Sequence, residues 1–276
     1  MRQLKPLLII LVLSKFCLGQ SLPEKLSETD FTIGKTINIK STVLNENRTL
    51  NIYLPLSYSE DNEKKYPVIY LLDGSKNEDF IHISGLVQFG SFSWINTIPE
   101  TIVVGIANVD RKKDFTYPSN NKLDQEEFPT TGKSKNFITF LEKELQPFID
   151  ANYKTTSIKT IIGQSLGGLL ATEILFKKPQ LFDNYIIVSP SLWWDDEKLL
   201  QNHQPETYTT NKSIYIAGGK EGPVMERTAK QLFEKISLSK KENTKLYYNF
   251  FEDKNHGDAL HQAAYDAFEK NFKSVK

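Results

Sequence analysis

Cysteine is nearly absent: Cys17 and four histidines in 276 residues cannot build a disulfide framework or a Cys-rich zinc site. Any metal centre would have to be assembled from scattered His and carboxylates, so no metal and no cofactor is expected. An excess of either charge is missing too. Lys plus Arg and Asp plus Glu stand at 34 each, so nothing in the total pulls the chain toward nucleic acid or anionic lipid, and no nucleic-acid partner is expected. There is no internal repeat, no low-complexity block and no Pro/Gly/Ser linker to divide the chain, which points to one domain. What is present suits a packed core. Hydrophobic residues make up 39% and aromatics 12%, with 17 Phe, 12 Tyr and 3 Trp, and this excludes disorder as the main state.

The N-terminus carries its own signal. Arg2 and Lys5 precede an uncharged run from Pro6 to Ser14, Lys15 closes it, and small residues follow near Gly19. The run is far shorter than the roughly 20 apolar residues of a membrane helix and matches a secretory signal instead. Residues 1–19 are therefore expected to be cleaved, leaving 20–276 as the domain, periplasmic or secreted, with no membrane span. Losing Arg2, Lys5 and Lys15 from 34 basic residues leaves 31 against 34 acidic ones, a mildly acidic mature chain without cysteine. Lipidation of Cys17 is the other reading, but Ser14, Lys15 and Phe16 do not resemble the small and apolar residues before a lipoprotein cysteine. Oligomeric state is not legible.

Apolar patterning predicts alternating strands and helices. Segments 36–39 and 49–54 alternate polar and apolar, as in an antiparallel edge hairpin with one wet face. Runs at 68–72, 102–106, 160–162, 185–188, 214–217 and 246–251 are more continuously apolar, as in strands buried on both faces. Helical patterns lie between them at 79–89, 135–150, 166–177, 224–236 and 258–272, with Pro179 stopping the third. The sum is a doubly wound α/β sandwich with a mainly parallel sheet of about eight strands and active-site loops at the strand C-termini. Segments 107–132 and 190–211 read as long loops, the candidate pocket walls.

Gly163-Gln164-Ser165-Leu166-Gly167 follows the predicted strand TIIG and opens the predicted helix LGGLLATEIL. Strand, tight turn and helix are the setting of a nucleophile elbow, in which glycines on either side of the serine remove side chains that would clash. Ser165 is the candidate nucleophile, and the Leu166 N–H at the helix start is a candidate oxyanion donor. A Gly-rich packing turn with a buried serine is the structural alternative.

Serine needs a base near neutral pH. His256 follows the last predicted strand, where this architecture delivers its histidine, with Gly257 allowing a sharp loop; His82 and His261 fall in helices and His203 in a polar loop. The orienting acid should lie between nucleophile and base in chain order, and Glu221, after SIYIAGG and before Gly222-Pro223, occupies that place. An ordinary Lys220-Glu221 loop pair, leaving a Ser-His dyad, is the competing reading. A second oxyanion donor is expected in Leu72-Asp73-Gly74-Ser75, at the Ser75 N–H, with Gly74 letting the backbone approach a substrate oxygen; a plain strand-ending turn is the alternative.

On these residues the chain resembles the esterase family of α/β-hydrolases that includes enterobactin-type siderophore esterases, S-formylglutathione hydrolase, feruloyl esterases and mycolyltransferases. The matching pieces are Tyr70-Leu71-Leu72-Asp73-Gly74, Val104-Gly105-Ile106-Ala107-Asn108, Asp110-Arg111, Asp114-Phe115-Thr116, the elbow, Ser189-Pro190-Ser191-Leu192-Trp193-Trp194 and Asn255-His256-Gly257. The Ser-Pro-Ser-Leu-Trp-Trp segment looks most like the siderophore esterase branch. The resemblance implies an α/β-hydrolase fold with Ser165 as nucleophile and His256 as base, and it allows a weak or missing acid. Where the family often has Thr-Pro, this chain has Thr116-Tyr117-Pro118.

Trp193 and Trp194 are candidate substrate-binding residues, paired indoles that stack on an aromatic acyl group such as catecholate, although at least one is expected to anchor its loop to the core. Arg111 is either a partner for an anionic substrate or part of a solvated run with Lys112 and Lys113. The expected activity is a serine esterase acting through an acyl-enzyme on a small-molecule ester. An acyltransferase using the same residues, or a siderophore- or glycan-binding module without catalysis, are the alternatives.

Overall fold

The computed structural model describes residues 22–272, so the expected signal segment 1–19 lies outside the described residues. By its internal contacts the chain divides into a unit ending at Thr32 and a unit Ile33–Lys276. Described residues of the first unit, 22–32, contain no helix or strand. The second unit holds the fold.

Eight strands form one sheet: β1 (Lys35–Ser41), β2 (Glu46–Tyr53), β3 (Tyr66–Leu71), β4 (Ile102–Ile106), β5 (Thr155–Gln164), β6 (Asn184–Val188), β7 (Lys212–Gly219) and β8 (Thr244–Phe251). Their order is β1-β2-β4-β3-β5-β6-β7-β8. β1 pairs antiparallel with β2, and β2 antiparallel with β4, while every pair from β4 onward is parallel. The sequence explains the difference. β1 alternates in burial as a wet edge strand does, whereas all five residues of β6 are buried because helices cover both faces of a parallel sheet.

Helices α1 (Phe80–Gly90), α2 (Arg111–Phe115), α3 (Lys122–Glu127), α4 (Ser134–Phe140), α5 (Gln146–Asn152), α6 (Leu166–Lys177), α7 (Lys198–Asn202), α8 (Pro223–Ser239) and α9 (Ala259–Phe272) fill the connections. Phe137 of α4, Leu170 of α6 and Leu232 of α8 join the core on one sheet face; Ile83 of α1 and Ala263 of α9 join the core on the other. This is the α/β-hydrolase sandwich. No helix among the described residues is long and apolar enough to cross a membrane.

Two expectations are corrected. The helix predicted over 135–150 is α4, a π turn at Leu141–Leu145 and then α5, whose Pro147 has no N–H to continue the α ladder. Segments 107–132 and 190–211 are not structureless, because α2, α3 and α7 lie within them. Asp110 caps α2 by accepting from Lys113 N at 3.0 Å, and Asn121 caps α3 by accepting from Leu123 N at 2.8 Å. Helices of five or six residues are too short to show a period in the sequence.

Candidate active site

Five strands that are neighbours in the sheet, β3, β5, β6, β7 and β8, end at one edge, and the loops leaving them carry the candidate residues. Brought together there are the 73–75 loop, Ser165, Ser189 to Ser191, Glu221 and His256. Ligands bind outside the carboxyl ends of parallel strands in such sheets because the loops there converge and the strand interiors do not.

Ser165 joins β5 to α6 with φ 60° and ψ −121°, a left-handed conformation in which a non-glycine residue is strained. The turn is tight enough that a Cβ on Gly163 would lie 2.4 Å from the Gly167 carbonyl oxygen, so glycine is required there. The strain is held by neighbours. Ser165 N donates to Val188 O at 3.1 Å, and its own carbonyl accepts from Leu169 N at 2.9 Å and Ser191 N at 3.0 Å. Leu166 is the first residue of α6, so its N–H has no partner within the helix. The Ser165 Oγ lies 3.3 Å from Ser191 Oγ.

His256 follows β8, and its Nδ1 lies 2.6 Å from Glu221 Oε2. A carboxylate only accepts, so Nδ1 carries the hydrogen and donates it; in the neutral ring Nε2 is then left with a lone pair. Glu221 is almost buried, with 2% of its side chain exposed against 47% for His256. Its other oxygen, Oε1, accepts from Gly219 N at 2.8 Å and from the Ser189 hydroxyl. Burial pushes the Glu221 carboxyl up, but these donors together with His256 outweigh it and hold the carboxyl below its ordinary range. The Gln164 amide donates to the His256 carbonyl at 2.5 Å, tying the histidine loop to the residue before Ser165. Ser165, Ser191, Trp193, Glu221, Met225 and His256 line one open cleft of about 540 Å³.

The 73–75 loop lies against the elbow: a Cβ on Gly167 would sit 3.4 Å from Asp73 Oδ2. The Ser75 N–H donates to Glu78 Oε2 at 3.4 Å, a long contact that leaves the donor only weakly engaged. At Gly74 a Cβ would meet Gly105 Cα at 2.4 Å, and its N–H donates to Ile106 O at 3.0 Å, so the missing side chain lets the turn after β3 close on β4.

One candidate substrate contact is corrected. Trp194 is 1% exposed, its Nε1 donates to Tyr117 O at 2.9 Å, and it anchors its loop; Trp193, partly exposed, is the indole that faces the cleft. Arg111 is held by Asp73, its Nε donating to Oδ1 at 2.6 Å and its Nη2 to Oδ2 at 2.9 Å, which takes it out of the solvated run with Lys112 and Lys113. Of the two expected walls, only 190–211 supplies cleft residues, Ser191 and Trp193. The segment 107–132 holds the first wall in place through Tyr117 and through Asn120 N, which donates to Asp195 Oδ1 at 2.7 Å.

Sequence reasoning missed Ser189, Ser191, Met225 and the Asp73 carboxylate. The signal for the two serines was the Ser-Pro-Ser run at a strand end, quoted above only for its resemblance. Among the described residues no group of three or more His, Cys, Asp or Glu is arranged to hold a metal ion.

The fold and the site edge are those of an α/β-hydrolase. Residues 41–274 match the model of the family described as "Putative esterase", and the chain belongs to that family. It is a carboxylic-ester hydrolase. The ferri-bacillibactin esterase of Bacillus subtilis (strain 168) is 29% identical over 251 residues, covering 83% of this chain and 87% of that protein. A siderophore enterobactin esterase of Emericella nidulans is 28% identical over 170 residues, 55% of each chain. Among solved structures, the BES protein from Bacillus cereus aligns with TM-score 0.77 and 26% identity over 93% of this chain and all of that one. An IroE-like serine hydrolase from Shewanella oneidensis aligns with TM-score 0.76 and 27% identity, over 88% of this chain and 82% of the other.

Proposed function

We propose that this esterase cleaves siderophore esters through an acyl-enzyme, with Ser165 as nucleophile, His256 as base and Glu221 as the acid that orients it. The observation that carries this reading is the 2.6 Å contact between His256 Nδ1 and Glu221 Oε2 at the cleft that Ser165 also lines. Nε2 of His256 takes the Ser165 hydroxyl proton while Oγ forms a bond to the ester carbonyl carbon. The carbonyl oxygen becomes an oxyanion, held by the N–H groups of Ser75 and Leu166. The C–O ester bond then breaks, and the leaving alkoxide takes the proton from His256. Water repeats the sequence on the acyl-enzyme, giving its proton to His256, and Ser165 recovers it as the acid leaves. No cofactor takes part.

Siderophore esters are favoured for two reasons. Relatives of similar length are named for them. The cleft also presents Trp193 and Met225, an aromatic face and a polarisable thioether suited to an aromatic acyl group. Export to the periplasm or beyond, after cleavage behind Gly19, agrees with Arg2, Lys5 and the apolar run that follows.

Hydrolysis of a panel containing a catecholate triserine lactone, a catecholate trilactone built on threonine, methyl ferulate and short p-nitrophenyl esters tests the substrate class. A preference of at least tenfold in kcat/KM for the trilactones is expected, and a preference for methyl ferulate would overturn it. N-terminal sequencing of the exported protein should begin at Gln20.

A further inference from the structure

Ser189-Pro190-Ser191 brings two hydroxyls into the site, and the mechanism above uses neither. Ser191 is 3% exposed and its Oγ lies 3.3 Å from that of Ser165. The spacing is set by the main chain, since Ser191 N also donates to the Ser165 carbonyl at 3.0 Å and Pro190 restricts the backbone just before it. Two hydroxyls at this distance can share a hydrogen in either direction. The chemistry selects one. When His256 is the base, the Ser165 hydrogen points at Nε2, and the Ser165 oxygen is left with lone pairs only. Ser191 must then be the donor.

We propose that Ser191 is a further catalytic residue, whose hydroxyl donates to the Ser165 oxygen and stabilises it as His256 removes its proton. The proposal rests on Ser165 being the nucleophile. Ser191 keeps its hydrogen throughout: the Ser165 O–H bond breaks, an N–H bond forms on His256, and the Oγ to acyl-carbon bond forms. At 3.3 Å the resting contact is long for a hydroxyl pair, and it shortens as charge develops on the acceptor. The bond is stronger to the charged oxygen of the transition state than to the neutral hydroxyl before acylation or to the ester oxygen of the acyl-enzyme before deacylation, the ground states of the two steps, as rate acceleration requires. The same bond forms again when Oγ departs during deacylation.

The test compares wild type with Ser191→Ala and Ser191→Thr by three measurements: the inactivation rate with a fluorophosphonate, the labelled peptide, and kcat and KM on a p-nitrophenyl ester. Ser191→Ala should lower both the inactivation rate constant and kcat by about tenfold to a hundredfold, with KM and Tm near wild type. Ser191→Thr, which restores a hydroxyl, should recover most of the loss. Should the alanine variant fail to fold, Ser191→Cys, a weak donor, takes its place and should show the same loss. Wild type labelled at Ser165 with Ser191→Ala inactivated within twofold of its rate overturns this proposal alone. Wild type left unlabelled at Ser165 overturns the serine reading and this proposal together.

Discussion

Arg111 closes on Asp73 with both arms of its guanidinium, Nε to Oδ1 at 2.6 Å and Nη2 to Oδ2 at 2.9 Å, and Nη2 reaches on to the Gln164 carbonyl at 3.2 Å. One side chain therefore spans from the 73–75 loop to the residue before Ser165. Asp73 itself is held at φ 53°, and Asn108 donates to its Oδ1 at 2.7 Å. The arrangement ties together the two loops that carry the candidate oxyanion donors.

Arg111→Lys should fall in kcat by about tenfold or more with KM nearly unchanged, because an ammonium cannot make the two-armed contact. A rise in KM for anionic esters with kcat preserved would show instead that the guanidinium binds substrate.

Ser165→Ala and His256→Ala should each remove turnover almost completely, with losses that reach about a millionfold when members of one nucleophilic unit are deleted. Circular dichroism and Tm should stay near wild type, since neither side chain belongs to the core. Retention of a few per cent of activity by either variant would contradict the assignment.

Glu221→Gln should cost on the order of 10²- to 10⁴-fold in kcat, because the imidazolium loses its charge partner and Nδ1 its fixed tautomer. A loss below about tenfold would mean a Ser-His dyad. Stability should follow pH in a defined direction. The folded carboxyl is held below its ordinary range, so the stability it contributes is present above the unfolded value and lost as pH falls through the folded one. Wild type should therefore be more stable than Glu221→Gln at pH 7, and the gap should close in acid denaturation below about pH 4.

The two indoles should separate by readout. Trp194→Ala removes a buried side chain and its bond to Tyr117, at a cost of about 3–5 kcal/mol in stability. Trp193→Ala should leave Tm within a few degrees and raise KM for aromatic acyl esters. Urea unfolding and steady-state kinetics on both variants check this.

Asp79, at the start of α1, is pushed up to about 6 by burial, with the Asp73 and Glu78 carboxylates adding to it and His261 and Arg111 opposing. A raised acid favours the fold below its unfolded pKa and loses that contribution as pH rises to about 6. Asp79→Asn should therefore leave Tm unchanged at pH 4 and raise it by about 2–4 °C at pH 8. An equal effect at both pH values would assign the change to packing rather than charge.

The apolar runs, the glycines around Ser165 and the chain order of Ser165, Glu221 and His256 are local features, so the sequence alone determined the strand and helix alternation and the candidate nucleophile, acid and base. Strand periodicity and tight-turn sterics act within a few residues and need no partner. The sheet order decided the rest. Trp193 and Trp194 are identical in type and adjacent, and only the arrival of the Tyr117 carbonyl, 77 positions away, puts Trp194 inside. Arg111 in a basic run reads equally as a substrate partner or as part of a solvated charge run until β3 and β4 pair and bring Asp73, 38 positions back, under its guanidinium. Ser189 and Ser191 reach Glu221 and Ser165 because β6 lies between β5 and β7. Which side chains meet depends on strand neighbours, and residues far apart in the chain carry no local mark of the partner they will find.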